Sequence, residues 1–195
     1  MKSMQKTTLL SMCECALMVA LAVILDLALH FLSWPNGGSV SACAVPLLFF
    51  SYRRGWKWGL CGGLVFSGIQ MLLGFWAPPA RTFLAFLGVV LLDYVIAFTV
   101  LGLGDLFAKP FRRRLVGYGF GAFAVCLLRF VCSFVSGMLI WPVPEDTALP
   151  QFWYSLLYNG GYMLPNTIIS VAAILLLCAF LDPKTLRKPV KEDNA

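Results

Sequence analysis

The sequence predicts an all-α fold: a polytopic membrane bundle of six transmembrane helices with both termini on the cytoplasmic side. Three observations predict it. The chain has 195 residues, is 60% hydrophobic and has a mean hydropathy of +0.83, well above the ~45–50% apolar content of a soluble domain. Most of its apolar runs approach the ~20 residues that a helix needs to cross a bilayer. Its 15 Lys and Arg residues also alternate in register with those runs. Two precede helix 1, three lie between helices 2 and 3, four between helices 4 and 5, and four in the tail. The other three connections hold only Arg81, and Arg129 lies within helix 5. This alternation obeys the positive-inside rule for both termini inside.

The elements follow in order. Helix 1 is expected at 9–32. Its run of about 24 residues exceeds the ~7–15 apolar residues of a cleaved signal peptide, so it is read as a retained span. Ala16 and Ala20 form a small-xxx-small pair that lets another helix approach. Asp26 and His30, four apart near its far end, either pair or sit at the interface, and the interfacial reading is preferred. The connection 33–41, SWPNGGSVS, is rich in turn residues. Helix 2, at 42–52, is short and is expected to be tilted or broken at Pro46. Helix 3, at 58–76, carries Gly59, Gly63 and Ser67 as an intramolecular packing stripe, and Pro78-Pro79 ends it. Helix 4, at 82–107, carries Asp93 and Tyr94 near its middle. Helix 5, at 116–141, holds Arg129 in its interior. Helix 6, at 152–181, is expected to kink at Pro165, with Gly160-Gly161 loosening the turn before it. The polar tail 182–195 completes a single integral membrane domain.

Several function classes find no support. The net charge of +6 follows topology and forms no nucleic-acid patch. The seven cysteines contain no CxxC pair and are read as small buried hydrophobes. The lone histidine, His30, excludes a His-rich metal site. No GxxxxGK[ST] is present to cradle ATP, and no serine, histidine and acid set shares a depth, which argues against an intramembrane enzyme.

The most informative stretch is 153–166, WYSLLYNGGYMLPN. Ser155, Asn159, Tyr162 and Asn166 recur at steps of four, three and four, so they share one helical face. Polar groups at bilayer depth are costly unless they meet a partner or a cavity. This face is therefore expected to line a small-ligand pocket, the alternative being bonds to neighbouring helices. Asp93 and Arg129 are the deepest formal charges. Either Asp93 meets a cationic or hydrogen-bond-donating ligand, or the two residues neutralise each other. Tyr94 adjoins Asp93, and Ser133, Gly137 and Trp141 follow Arg129 at steps of four. Trp34, Trp141, Trp153, Tyr154 and Tyr158 fall at one outer level, beside Asp93 and Asn159, where they would cage a flat cation.

The segments ECALMVALAVILD, PNGGSVS, SYRRG, LLDYVIAF, LLRFVCSFVSG and WYSLLYNGGYMLP, in that order, resemble the thiamine-specific S components of energy-coupling-factor transporters in Gram-positive bacteria. The resemblance runs from about residue 8 to 181. It implies a six-helix bundle that binds thiamine near its outer face in the cell membrane. It further implies transport through a transmembrane coupling protein and two cytoplasmic ATPases, with no cofactor or catalysis in this chain. Family binding positions match at Asp93 (often glutamate in relatives), Tyr94, Arg129, Trp141, Tyr154 and Asn159. The family's docking motif for the coupling protein matches Ala16 and Ala20. Two positions depart. Ser133 stands where relatives often have a ring-stacking histidine, and a stacking tryptophan of the first outer loop falls near Gly37, with Trp34 close by. These departures leave open a second reading, an S component for another small heterocycle such as a thiamine precursor. On the chemistry of its own residues, the outer level has no phosphate-binding cluster, which favours free thiamine over its phosphates.

Overall fold

A computed structural model describes residues 2–29 (2–6 as backbone), 34, 38–145 and 147–184. Among these residues the regular elements are all helices. They are α1 (Lys2–Ala28), α2 (Ala44–Arg54), α3 (Trp56–Gly74), α4 (Phe83–Ala108), α5 (Arg114–Leu139) and α6 (Gln151–Phe180). From the second helix onward each boundary lies within two residues of its expected place. His30, Gly37 and the tail beyond 184 lie outside the described residues.

By length and apolar composition, α1 (Thr7–Ala28), α4, α5 and α6 qualify to cross a membrane. The remaining two helices, of which α2 is the one expected to be short, do not qualify by these criteria. At 11 residues, α2 is ~16 Å long at 1.5 Å per residue, against ~30 Å of hydrocarbon. It packs against α1, α3, α4 and α6, with Leu47, Leu48, Phe50 and Tyr52 fully buried. Pro46 does not break it. It occupies the first turn, where its missing N–H has no intrahelical acceptor to lose. The 19 residues of α3 open on Trp56-Lys57-Trp58 and are less uniformly apolar than the four long helices.

The glycine stripe of α3 is the packing face that its spacing implies. A Cβ on Gly59 would collide with the Gly102 carbonyl, and one on Gly63 would lie 2.8 Å from the Phe98 carbonyl oxygen. Backbone thus meets backbone between α3 and α4. α6 runs without interruption through Pro165. The cysteines are all free thiols.

Two polar clamps hold the end carrying the basic turns. Glu14 accepts from Arg53 at 2.9 and 3.2 Å and from Arg54 at 2.6 Å, which ties α1 to the end of α2. Asp182 accepts from the Arg114 guanidinium at 2.7 Å and the Tyr118 hydroxyl at 3.1 Å, which ties the end of α6 to the start of α5. Partial burial would raise the Asp182 carboxyl, but the Lys184 N–H, Arg114 and Tyr118 together hold it below its ordinary value.

Candidate functional site

The opposite end of the bundle encloses a cavity of about 320 Å³, within the range of small-molecule sites. The closing residues come from the loop before α2 (Gly38, Ser39), the end of α3 (Trp76) and the α5–α6 connection (Trp141, Pro142). These belong to the connections that carry few basic residues.

Local backbone geometry places the acid. Within α4, Val90–Ile96 is π-helical, a departure from α geometry that often marks functional sites. Asp93 and Tyr94 sit in this turn. The Tyr94 hydroxyl donates to the Gly74 carbonyl at 3.0 Å and accepts the Trp76 N–H at 2.9 Å. Its polar end therefore fastens the end of α3, and what it offers the cavity is its ring. Asp93 accepts from the Ser136 hydroxyl at 2.6 Å and the Trp141 indole N–H at 3.2 Å, both on Oδ2. Oδ1 accepts no hydrogen bond from the described residues.

Asp93 and Arg129 make no ion pair. The Arg129 guanidinium instead lies 4.5 Å from the Phe98 ring centroid, and one of its terminal nitrogens donates to the Cys43 sulfur at 3.9 Å. Its Nε is buried without a protein partner. Of the two sequence readings, mutual neutralisation of Asp93 and Arg129 is the one that the geometry lacks. Both side chains line the cavity.

The polar face of α6 divides into two parts. Tyr162 donates to the Asn159 carbonyl oxygen at 2.9 Å, Asn159 donates to the Ser155 carbonyl at 2.9 Å, and Ser155 donates to the Phe134 carbonyl at 2.9 Å. These three line the cavity. Asn166 does not. It accepts the Ser41 N–H at 2.6 Å and donates to the Ser39 carbonyl at 3.0 Å, holding the loop before α2. The cavity reading thus applies to one part of the face and the helix-bonding reading to the other.

An aromatic wall runs beside it. Tyr154 stacks on Tyr158 with centroids 6.0 Å apart, and Tyr162 meets Tyr158 edge-on at 5.9 Å. Gly38 is pressed against this wall, since a Cβ there would lie 2.6 Å from the Tyr162 ring. Gly137 serves similarly on α5, where a Cβ would collide with the Ser155 hydroxyl. Ser133 is 7% exposed and also faces the cavity.

Seven of the eight expected ligand residues therefore line one cavity: Asp93, Tyr94, Arg129, Ser133, Trp141, Tyr154 and Asn159. Trp34 does not. Its indole lies over Gly161, within 3.7 Å of where a Cβ would stand. Trp153 is 52% exposed and packs on Phe152, so it is not part of the cage. Ala16 and Ala20 are exposed on α1. The sequence reading placed Asp26 at the interface and did not single out Gln70; both line the cavity and share a 2.6 Å hydrogen bond from the Gln70 amide to the Asp26 carboxylate. Their signal was present: Gln70 is the one carboxamide of α3 and Asp26 is an acid inside an apolar run.

Residues 12–186 match the family model described as "Thiamine transporter protein (Thia_YuaJ)". The chain is 35% identical to "Thiamine transporter ThiT" of Bacillus subtilis, covering 96% of this chain and 98% of that one. It is 24% identical to the Lacticaseibacillus paracasei protein of the same name, covering 80% and 83%. Its fold is similar to a solved structure of ThiT from Listeria monocytogenes, with a TM-score of 0.73 and 19% identity over 90% of this chain and 97% of that one.

Proposed function

The chain belongs to the thiamine transporter protein family, and from that premise we propose that the cavity beside Asp93 binds free thiamine on its way into the cell. The observation that carries this reading is the charge and shape of the cavity. Two carboxylates, Asp26 and Asp93, face one guanidinium, Arg129, among tyrosine and tryptophan rings. The surplus is one negative charge. Thiamine carries one permanent positive charge on a flat thiazolium ring, together with an aminopyrimidine and a hydroxyethyl arm. Aromatic faces attract such a cation, Asp93 Oδ1 accepts a hydrogen bond or answers the charge, and the Asn159 and Ser155 groups serve the neutral arms. A thiamine phosphate would bring added anions to a site that already has an excess of them.

The chain is then the substrate-binding membrane subunit of an ATP-driven importer, without catalysis of its own. ATP is hydrolysed by two cytoplasmic ATPases joined through a transmembrane coupling protein, and Ala16 and Ala20 form the docking face for that protein. The cavity opens outward and both termini lie in the cytoplasm of a Gram-positive bacterium, the chain forming one membrane domain. Ser133 keeps a second reading in play: a serine stacks on no ring, so the site has room for another heterocycle, such as one half of thiamine.

Trp76 and Trp141 line the cavity, so ligand entry changes tryptophan fluorescence. The purified protein is titrated with thiamine, with its pyrimidine and thiazole halves, with thiamine monophosphate and with an analogue whose thiazolium is replaced by a neutral ring. Thiamine is expected to bind most tightly. A pyrimidine half that binds as tightly as thiamine would favour the second reading.

A further inference from the structure

At the end of the bundle remote from the cavity, the α2–α3 turn and the end of α4 enclose a second concavity of about 360 Å³. We infer that it holds the phosphate headgroup of an anionic phospholipid. The inference requires only that the chain crosses the membrane, and it is independent of the ligand proposed for the cavity.

The turn is shaped by Gly55, whose φ of 94° is open to glycine and strained for other residues. It sets Arg54 and Trp56-Lys57 on one rim. Lys57 Nζ lies 5.7 Å from the Trp56 ring centroid, and Lys109 Nζ, arriving from the end of α4, lies 6.0 Å from the same centroid. Asp105, 4% exposed, sits at the base. It holds Lys184 at 3.4 Å and Lys109 at 3.8 Å. Arg53 and Arg54 share the single carboxylate of Glu14. Arg53, Arg54, Lys109 and Lys184 thus share the carboxylates of Glu14 and Asp105, and Lys57 adds a fifth cation outside these ion pairs, so that these seven groups carry a surplus of three positive charges in and beside the depression. A buried aspartate that orders two lysines, and a tryptophan that gathers two ammoniums, make a built anion site beyond a basic loop alone.

A second observation favours a lipid over a soluble phosphate. Above Lys57, the same face of α3 continues through Cys61, Leu64, Val65 and Gly68 to Leu72, all exposed. Leu64 is 53% and Leu72 88% exposed. Directly above the ammonium groups there is therefore an uncovered apolar track along which acyl chains can lie. Basic pockets at this level of a membrane helix bundle are suited to anionic headgroups, and tryptophan favours the same interface.

The test uses the full chain, delipidated in detergent and incubated with dioleoyl phosphatidylglycerol, with dioleoyl phosphatidylcholine or with glycerol 3-phosphate. Native mass spectrometry counts the adducts. Phosphatidylglycerol is expected to be retained on the order of a hundredfold more than phosphatidylcholine, since each of the three surplus charges favours an anionic lipid about fivefold. K57Q/K109Q, which leaves a surplus of one, should reduce the preference to about fivefold while the melting temperature, which reads folding, is unchanged. If the double variant melts at a lower temperature than wild type, K57Q alone is used and should reduce the preference. Equal retention of both lipids would overturn the inference, as would a preference that is undiminished in K57Q/K109Q. Glycerol 3-phosphate that displaces phosphatidylglycerol at equal concentration would assign the pocket to a soluble anion. A variant that keeps the lipid preference but no longer assembles with the coupling protein would assign the surface to that partner.

Discussion

At the scale of single residues, the proposed recognition turns on Asp93. Its two protein donors both reach Oδ2, so the carboxylate is oriented by the protein and left open on its other oxygen. Asp93→Asn keeps the shape and an acceptor for Ser136 and Trp141 but removes the charge. Truncating one partner of a buried charged contact costs about 2–5 kcal/mol, and asparagine retains a neutral contact, so thiamine affinity is expected to fall by about 2–4 kcal/mol. The neutral-ring analogue should lose less. Because Asp93 has no ion pair with Arg129, the unliganded melting temperature should change little. Titration of both ligands into the two proteins, with melting curves, decides it. Equal losses for both ligands with a large drop in unliganded stability would remove Asp93 as the ligand's counter-charge.

At the scale of elements, α1 has two faces with separate tasks. One is buried through Cys15, Val19 and Ala22 and packs on α2 and α3. On the other, Met12, Ala16 and Ala20 lie exposed at steps of four. A surface of small side chains lets a second helix come close, and a tryptophan there prevents it. Ala16→Trp or Ala20→Trp is therefore expected to abolish thiamine uptake by the assembled importer while quenching by thiamine in the isolated chain stays as in wild type. Either substitution removing ligand binding with assembly intact would show that this face supports the cavity. α4 combines its tasks along its length. Its lower half meets the glycines of α3 backbone to backbone, and its π turn presents Asp93 at the level where Tyr94 grips the end of α3.

At the scale of the whole molecule, the two concavities lie at opposite ends, one closed by the connections poor in Lys and Arg and the other by the connections rich in them. The positive-inside rule predicts the orientation of that axis, with the cavity outward. Pro79, Arg113 and Glu145 are exposed and suit single-cysteine labelling in a background without the native cysteines. Gly38 is a poor probe because a side chain there meets Tyr162. An impermeant maleimide applied to intact cells should modify P79C and E145C and spare R113C. The opposite pattern would invert the orientation.

The sequence by itself determined the helices, their order and much of the cavity's inventory. Helix formation, span length and charge alternation are local along the chain, and the spacing of Ser155, Asn159 and Tyr162 on one face of α6 is a property of one helix. Tertiary structure decided what each polar group meets. Asn166 follows the same periodicity as Asn159, yet it bonds the loop before α2 because that loop passes over it. Asp26 looked interfacial until α3 brought Gln70 within 2.6 Å. Trp34 is near the family's stacking position in sequence, but a loop's path is set by its contacts, and this one lays the indole on Gly161. Asp93 and Arg129 were two charges without a common partner in the sequence. Only the packing of α4 against α5 and α2 gave one to Ser136 and Trp141 and the other to Phe98 and Cys43, because a helix's periodicity defines its faces and its neighbours define what each face touches.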